Sequence, residues 1–221
     1  MTTAEERFWN NPEVVKEFEL MPPSPYWKKF FQQIKNPASK KVLDIGCGGG
    51  RNTQMLIELN FNTYACDYYI EMVKATRKRI ARITNDQNIK KRIIQASMLD
   101  LPYPDEYFNL ILANGVFHNV SSKKEMETAI KESSRVLKPK GQICVNLFSN
   151  TFIDSKLYKI NTEKYIYVTP QGLTMALLPK KTFLKIMENY NLILDNQLTE
   201  YKREVSTGKR WVIRGIFRKK L

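Results

Sequence analysis

From residue 41 onward, the hydrophobic residues follow two patterns that alternate along the chain. Short apolar runs alternate with longer stretches in which apolar residues recur every three or four positions, as they do on one face of a helix. The predicted strands are 41–45, 62–66, 93–96, 110–113 and 142–148. Strands that alternate with helices predict a mostly parallel sheet with right-handed crossovers and cover on both faces. The predicted fold class is therefore α/β, with its chemistry in the loops that follow the strands.

The last third of the chain shows a different pattern. Residues 183–190 have helical spacing, whereas 192–205 and 210–218 read as two strands. The turn between them contains Gly208, which is typical of a hairpin. Because a hairpin reverses the chain, we expect the last strand to run antiparallel.

Composition and charge narrow the class of protein. The chain has 221 residues, of which 43% are hydrophobic and 26% are charged. These proportions are ordinary for a globular protein. No apolar run reaches the roughly 18 residues of a membrane span, and the first residues lack the apolar core of a secretory signal. We therefore expect a cytoplasmic protein without a membrane partner. Three separated cysteines and one histidine predict no metal site.

The clearest chemical signal is a glycine-rich loop between the first strand and the next helix. Gly46-Cys-Gly-Gly-Gly50 would bring backbone N–H groups close to a ligand, so a nucleotide-containing cofactor is the first interpretation. The dinucleotide fingerprint requires a glycine at position 51, where this chain has Arg51. The lysine and Ser/Thr of a phosphate-binding loop are also absent.

Two acids accompany this loop. Asp44 immediately precedes it, and a carboxylate there repels a pyrophosphate but attracts a ligand with ammonium and sulfonium groups. Asp67 follows the second strand, where an acid accepts hydrogen bonds from ribose hydroxyls. A dinucleotide offers the same hydroxyls, and a structural turn with a capping aspartate gives the same pattern. At this point all three interpretations stay open.

Four segments resemble motifs of class I S-adenosylmethionine-dependent methyltransferases and occur in the family's order. Residues 42–51 resemble motif I and 66–72 the second motif, while 101–111 and 135–141 resemble the stretches before the fourth and fifth strands. The resemblance covers about residues 40 to 148. It implies a Rossmann-like, doubly wound sheet of seven mostly parallel strands with an antiparallel C-terminal strand. It also implies S-adenosylmethionine as cofactor and, from weaker likeness at both ends of the chain, a methyltransferase type 11-like subgroup.

The resemblance implies roles for the first two motifs. Gly46 and Gly48 would let the backbone approach the methionine part of the cofactor, with Cys47 beside it. Asp44 would fix the loop and face the amino group, and Asp67 would bind the ribose hydroxyls.

Further cofactor contacts are implied later in the chain. Tyr68 would cover one face of the adenine, with help from Met72. Ser97 stands where the family often has an aspartate for the adenine amino group, and the N–H of Met98 would serve the ring. Asn114, at the end of the fourth strand, would meet the methionine part.

Two residues carry open alternatives. Arg51 would either pair with the cofactor carboxylate or belong to the surface of the first helix of the core. His118 is the candidate catalytic residue, because its unperturbed pKa lies near neutrality and it follows the fourth strand. A hydrogen-bonded structural histidine is the other interpretation, since methyl transfer mainly needs alignment and not always a base.

The expected domain organisation is one methyltransferase domain over 1–221. Its aromatic-rich N-terminal segment would form lid helices, and the segment after the fifth strand would supply a substrate cap with several tyrosines. The expected divisions are lid helices 1–36, cofactor-binding core 37–148, substrate cap 149–178, and C-terminal helix and hairpin 179–221.

The acceptor class is less sharply defined. The net charge of +14 fits an RNA (tRNA) methyltransferase, but it also fits a solvated surface. Asn114-Gly-Val-Phe117 differs from the Asn/Asp-Pro-Pro-aromatic motif of amino-directed nucleic-acid methyltransferases, and no separate RNA-binding module is visible. We expect a small-molecule acceptor. The alternatives are RNA, a non-catalytic cofactor-binding module and a dehydrogenase, and the accepting atom and oligomeric state stay open.

Overall fold

The computed structural model describes residues 2–160, 162–195 and 198–221, and a mixed sheet forms its centre. The strands are β1 Lys41–Ile45, β2 Asn62–Asp67, β3 Ile93–Gln95, β4 Phe108–Asn114, β5 Leu137–Ser149, β6 Tyr158–Lys159, β7 Ile166–Val168, β8 Thr174–Ala176, β9 Leu192–Leu194, β10 Thr199–Val205 and β11 Gly208–Lys219. The helices are α1 Ala4–Trp9, α2 Pro12–Leu20, α3 Pro25–Gln32, α4 Arg51–Glu58, α5 Ile70–Ile80, α6 Gln87–Lys91, α7 Lys123–Val136 and α8 Lys180–Asn189.

The order of the strands confirms the predicted fold class. Seven strands of the main sheet follow the order β10-β11-β5-β4-β1-β2-β3, and β9 also pairs with β11. The pairs β4–β5, β4–β1, β1–β2 and β2–β3 are parallel, whereas β11 is antiparallel to β5. The region predicted as one strand, 192–205, forms both β9 and β10. From β1 the chain builds the sheet outward through β2 and β3. It then crosses back to form β4 on the other side of β1, so the strand order reverses between β1 and β4.

Two helical layers bury the faces of this sheet. On one face, α3 places the fully buried Trp27 and Phe31 against Val42 of β1 and Leu112 of β4. On the other face, the apolar side of α7 packs with β5 and α8 in the larger core cluster. This amphipathic packing explains why the central strands are apolar on both sides.

Local sequence fixes the two helices at the start of the chain. Thr3 and Glu6 form a capping box at the beginning of α1, and Asn11 caps α2, whose first residue is Pro12. The region 149–178 contains a second, three-stranded sheet, β6-β7-β8. None of the helices in the described parts of the chain is long and apolar enough to cross a bilayer.

Candidate functional site

A cavity of about 320 Å³ lies at the carboxyl ends of β1, β2 and β4, where the strand order reverses. This is the usual position of a ligand in an open α/β sheet, and the volume is typical of small-molecule sites. The structure brings ten predicted residues to its wall. They are Gly46, Cys47, Gly48, Arg51, Asp67, Tyr68, Met72, Ser97, Met98 and Asn114.

The glycine loop that borders the cavity is tightly constrained. Gly46 and Gly48 have φ values of +66° and +54°, which other residues rarely adopt. The N–H groups of Gly46 and Cys47 both donate to the carbonyl of Cys66, over 2.8 and 3.0 Å. The N–H of Gly48 donates to Oδ2 of Asp67 over 2.9 Å. These three N–H groups bond within the protein, so the loop differs from one whose donors cradle a phosphate.

Asp67 combines burial with free acceptor capacity. Its second carboxylate oxygen, Oδ1, accepts from the N–H of Tyr69 over 3.0 Å. Burial raises the pKa of Asp67 in spite of its backbone hydrogen bonds. Each carboxylate oxygen has a further lone pair, so the group can accept from ligand hydroxyls while it holds the loop.

Asp44 lies beneath the loop and does not line the cavity. Its Oδ2 accepts a hydrogen bond from the hydroxyl of Thr53 over 2.7 Å, which ties β1 to the first turn of α4. Burial raises the pKa of Asp44 to about 7, and the charge of Asp67 adds to the increase. The predicted contact between Asp44 and a ligand amino group stays a prediction. Above about pH 7, where Asp44 is mostly ionised, its carboxylate adds negative potential at the base of the loop.

Two buried polar atoms at the cavity wall lack partners among the described residues. Asn114 accepts from Nε1 of Trp27 over 3.1 Å through Oδ1, but its Nδ2 has no acceptor. Oδ1 of Asn52 likewise has no donor. An unpaired buried polar atom is costly, so a ligand that offers both an acceptor and a donor would satisfy this wall. The amino-acid end of S-adenosylmethionine offers both groups, so these residues fit that cofactor.

The far end of the cavity contains the residues predicted for adenine. Tyr68 is more than half exposed and Met72 is buried, so they provide an accessible ring above an apolar floor. The Oγ of Ser97 accepts from the N–H of Leu99 over 3.1 Å, which holds the turn that carries Met98. The proposed adenine contacts of these residues stay predictions.

His118 lies behind the cavity wall. Its ring stacks on Phe148 with centroids 3.8 Å apart, and a Cβ on Gly115 would lie 3.8 Å from its Cε1. Burial, with the nearby charges of Arg210 and Arg203, lowers the pKa of His118 to about 3. The imidazole is therefore neutral at physiological pH, and its role as a general base stays a prediction.

Residues of α1 and α2 that the sequence does not single out form a roof over the cavity. Trp9 stacks on Tyr69 with centroids 6.1 Å apart, and the ring of Phe18 lies 3.1 Å from the position of a Cβ on Gly48. Glu5 accepts hydrogen bonds from both the N–H and the hydroxyl of Thr174, over 3.1 and 2.9 Å. The aromatic-rich N-terminal segment predicts lid helices, but these long-range contacts have no local sequence signal.

Comparisons with known proteins agree with this geometry. Residues 43–145 match the family model described as Methyltransferase domain. The probable tRNA methyltransferase 9B of Bos taurus is 33% identical over 57% of this chain and 24% of its own length. The demethylmenaquinone methyltransferase of Tropheryma whipplei is 33% identical over 51% of this chain and 44% of its own length.

The solved structures show the same fold. A SAM-dependent methyltransferase from Methanosarcina mazei aligns with a TM-score of 0.74 and 18% identity, covering 91% of this chain and 100% of that one. This chain spans less than half the length of the two curated relatives. Their names therefore describe larger proteins than the matched region.

Proposed function

We propose that this chain transfers a methyl group from S-adenosylmethionine to a small-molecule acceptor, because residues 43–145 match the methyltransferase domain model and the fold is that of class I S-adenosylmethionine-dependent enzymes. The observation that carries the proposal is the roofed cavity in which Asp67 and the unpartnered Nδ2 of Asn114 meet. The cavity offers acceptors for ribose hydroxyls and a donor for the methionine end.

Electrostatics support a cationic cofactor. Asp44 and Asp67 are buried close to the glycine loop, and no cation forms an ion pair with either acid within the described residues. Three N–H groups of the loop bond within the protein, so a diphosphate would find negative charge without those donors. A ligand with ammonium and sulfonium groups instead compensates the buried charge.

The proposed mechanism is an in-line displacement. When bound, S-adenosylmethionine would supply an electrophilic methyl group on a positively charged sulfur, and a lone pair of the acceptor would displace that sulfur, which would keep the carbon–sulfur electrons. The chain's own contribution is mainly alignment and exclusion of water. Asn114 would hold the methionine end at the tip of β4, while Trp9 and Phe18 close the cavity from above.

A small acceptor suits the closed geometry. Glu5 joins α1 to Thr174, the first residue of β8, so the roof is tied to the segment that we expect to form the substrate cap. A polymer would require this roof to open, whereas a small molecule fits within the enclosed space. The oxygen, nitrogen, carbon or sulfur atom that accepts the methyl group is not part of the proposal.

Calorimetric titration with S-adenosylmethionine, S-adenosylhomocysteine and NAD tests the cofactor assignment. We expect the two adenosyl compounds to bind and NAD to bind far more weakly. Asp67→Asn should reduce S-adenosylhomocysteine affinity about a hundredfold, because it weakens acceptors for both the loop and the ribose. Asp86→Asn is the matched control, since it removes the same charge while asparagine still caps α6. Tight binding of NAD without adenosyl binding would contradict the proposal.

RNA is the second candidate acceptor. Its support is the net charge of +14 together with the likeness to a relative named probable tRNA methyltransferase 9B. A steep loss of transfer-RNA binding with increasing salt, coupled to methylation of that RNA, would favour it. Cofactor binding without turnover on either a metabolite panel or RNA would favour a non-catalytic module.

A further inference from the structure

A second cleft, of about 570 Å³, adjoins the first cavity and shares Arg51 and Asn114 with it. We call it the arginine cleft. Its walls are the segment 21–24 between α2 and α3, the start of α3, the tip of α4, and residues of β4, β5, β10 and β11. The charged and amide side chains that line it are Arg51, Asn114, Asn146, Arg203 and Arg214.

The register of the sheet aligns the polar floor of this cleft. Asn114 pairs with Asn146 across β4 and β5, and Asn146 pairs with Arg214 across β5 and β11. Directly paired residues of neighbouring strands point to the same face of a sheet. The floor is therefore a continuous row of two amides and a guanidinium that starts at the cofactor cavity.

Arg214 is held rigidly in this row. Its guanidinium carbon lies 3.4 Å from the ring centroid of Tyr26 and 4.8 Å from that of Tyr201. Its Nε donates to Oγ1 of Thr199 over 3.2 Å. Contact through the faces of the guanidinium leaves its terminal nitrogens available in the plane, where they can form paired hydrogen bonds with a carboxylate or phosphate.

No ion pair neutralises the arginines of the cleft within the described residues, although Asp44 beneath the glycine loop partly offsets the charge of Arg51. No residue that lines the cleft is acidic, and within the described residues Arg51, Arg203 and Arg214 make no ion pair. By contrast, Arg82, Arg135 and Arg218 each pair with a carboxylate. Burial, followed by repulsion from Arg203, lowers the pKa of Arg51, as expected where like charges are close.

We propose that the arginine cleft binds the anionic end of the methyl acceptor, a carboxylate or a phosphate, and directs its other end toward Asn114. The inference rests on the proposed methyltransferase function and adds an acceptor class to it. A small anion is favoured over RNA because the cleft is recessed between the sheet and the segment with Pro22 and Pro23, which continues from the roof of the cofactor cavity. An acceptor that spans this distance would leave its reactive group at the junction of the two cavities.

The experiment titrates the protein, saturated with S-adenosylhomocysteine, with inorganic phosphate and separately with benzoate. Binding is followed by calorimetry and by the Nε–H resonances of the arginines. We expect at least one of the two anions to bind. The anion that binds more tightly shows whether the cleft prefers a phosphate or a carboxylate. Arg203→Gln and Arg214→Lys should each weaken it about tenfold, the first by removing charge and the second by removing the planar donor pair.

Lys202→Gln is the matched control. It removes the same charge from the adjacent position of β10, but its ammonium lies over the ring of Phe152, away from the cleft. We expect this variant to bind the anion like the parent chain. Arg203 is exposed, so Arg203→Gln tests the proposal even if Arg214→Lys perturbs the packing around Tyr26.

Three outcomes would overturn the inference. The first is that neither anion binds, and the second is that Lys202→Gln weakens binding as much as Arg203→Gln does. The third is that transfer RNA binds far more tightly than either anion and alone responds to Arg203→Gln, which would assign the cleft to nucleic acid. Failure of the parent chain to bind S-adenosylhomocysteine would instead refute the proposed function, so the two failures are distinguishable.

Discussion

The two cavities that meet at Asn114 are built from the same sheet but differ in charge. The cofactor cavity lies over β1 and β2, with buried Asp44 below its loop and Asp67 in its wall. The arginine cleft lies toward β11 and contains three arginines without an acid. Opposite potentials a few strands apart favour two ligands of opposite charge.

The difference arises from how each region satisfies its own polar groups. In the glycine loop, the N–H groups of residues 46–48 donate to acceptors of the protein itself. The carboxylate of Asp67 still has lone pairs that can accept hydrogen bonds from a ligand. In the arginine cleft, aromatic rings fix Arg214 without neutralising it. One region therefore provides acceptors and the other provides donors. Substitutions at and beside the boundary should show whether ligand binding in the cofactor cavity and in the arginine cleft can be changed separately.

Apart from substitution of Asp67, the largest effect is expected from Gly49→Ala. A Cβ there would lie 2.3 Å from the backbone nitrogen of Glu19, so α2 cannot stay in place above the loop. Overpacking of this kind costs about 1–3 kcal/mol, and we expect S-adenosylhomocysteine affinity to fall by more than tenfold. Calorimetry measures the loss, with the exposed Lys16→Ala on the same helix as control. Unchanged affinity would mean that α2 does not close the cofactor cavity.

The next effect is a pH dependence of stability caused by Asp44. Its pKa is about 7 in the folded chain against 3.8 for the unperturbed group, so the folded state binds more protons between these values. Stability from this group is therefore highest below about pH 4 and falls as pH rises toward 7, by up to about 1.4 kcal/mol per pH unit. The free energy of unfolding, measured in urea, should decrease less from pH 5 to pH 8 for Asp44→Asn than for the parent chain. An equal decrease in both proteins would contradict the raised pKa of Asp44.

Arg51→Gln sharpens the comparison because Arg51 borders both cavities. We expect it to weaken both S-adenosylhomocysteine and the anion of the arginine cleft, each about fivefold to tenfold, through loss of a charged donor. Arg203→Gln should weaken the anion alone. Parallel titrations of the two variants measure this selectivity. An Arg51 variant that changes neither affinity would place the residue outside both sites.

The smallest effect is expected from His118→Gln. The neutral imidazole is stacked on Phe148 and its pKa of about 3 makes it a weak base, so turnover should stay within about twofold. Kinetics with an identified acceptor, alongside a thermal melt, provide the measurement. Lost turnover with cofactor affinity retained would support His118 as the general base.

Local sequence predicted the central fold and part of the candidate site. The strand–helix alternation and the glycine loop predicted the parallel core, and most residues assigned to the cofactor do line one cavity. The strand predicted over 142–148 begins earlier in the structure, at Leu137, which pairs with Phe108 of β4. Between Leu137 and Gln142 the register with β4 shifts and Lys140 has a φ of +63°, so this part of the strand is an irregularity that long-range pairing spans and local sequence does not specify.

The arginine cleft could not be predicted in the same way. In the sequence of the last strand, Arg214 and Arg218 are four positions apart and therefore lie on the same face, so nothing local distinguishes them. In the structure Arg214 lies over Tyr26, while Arg218 pairs with Asp195. What distinguishes them is α3, which arrives from a remote part of the sequence. The same applies to the contact between Glu5 and Thr174.

The proline-rich segment between α2 and α3 links events in the two cavities. Pro22 and Pro23 restrict its backbone, Pro25 begins the next helix, and the helix before it packs on Gly49. A swing of α2 that frees spent cofactor would therefore displace a wall of the neighbouring cleft. We expect compulsory-order kinetics, in which the acceptor enters after the methyl donor and leaves before its remnant, with helix opening setting the pace of turnover.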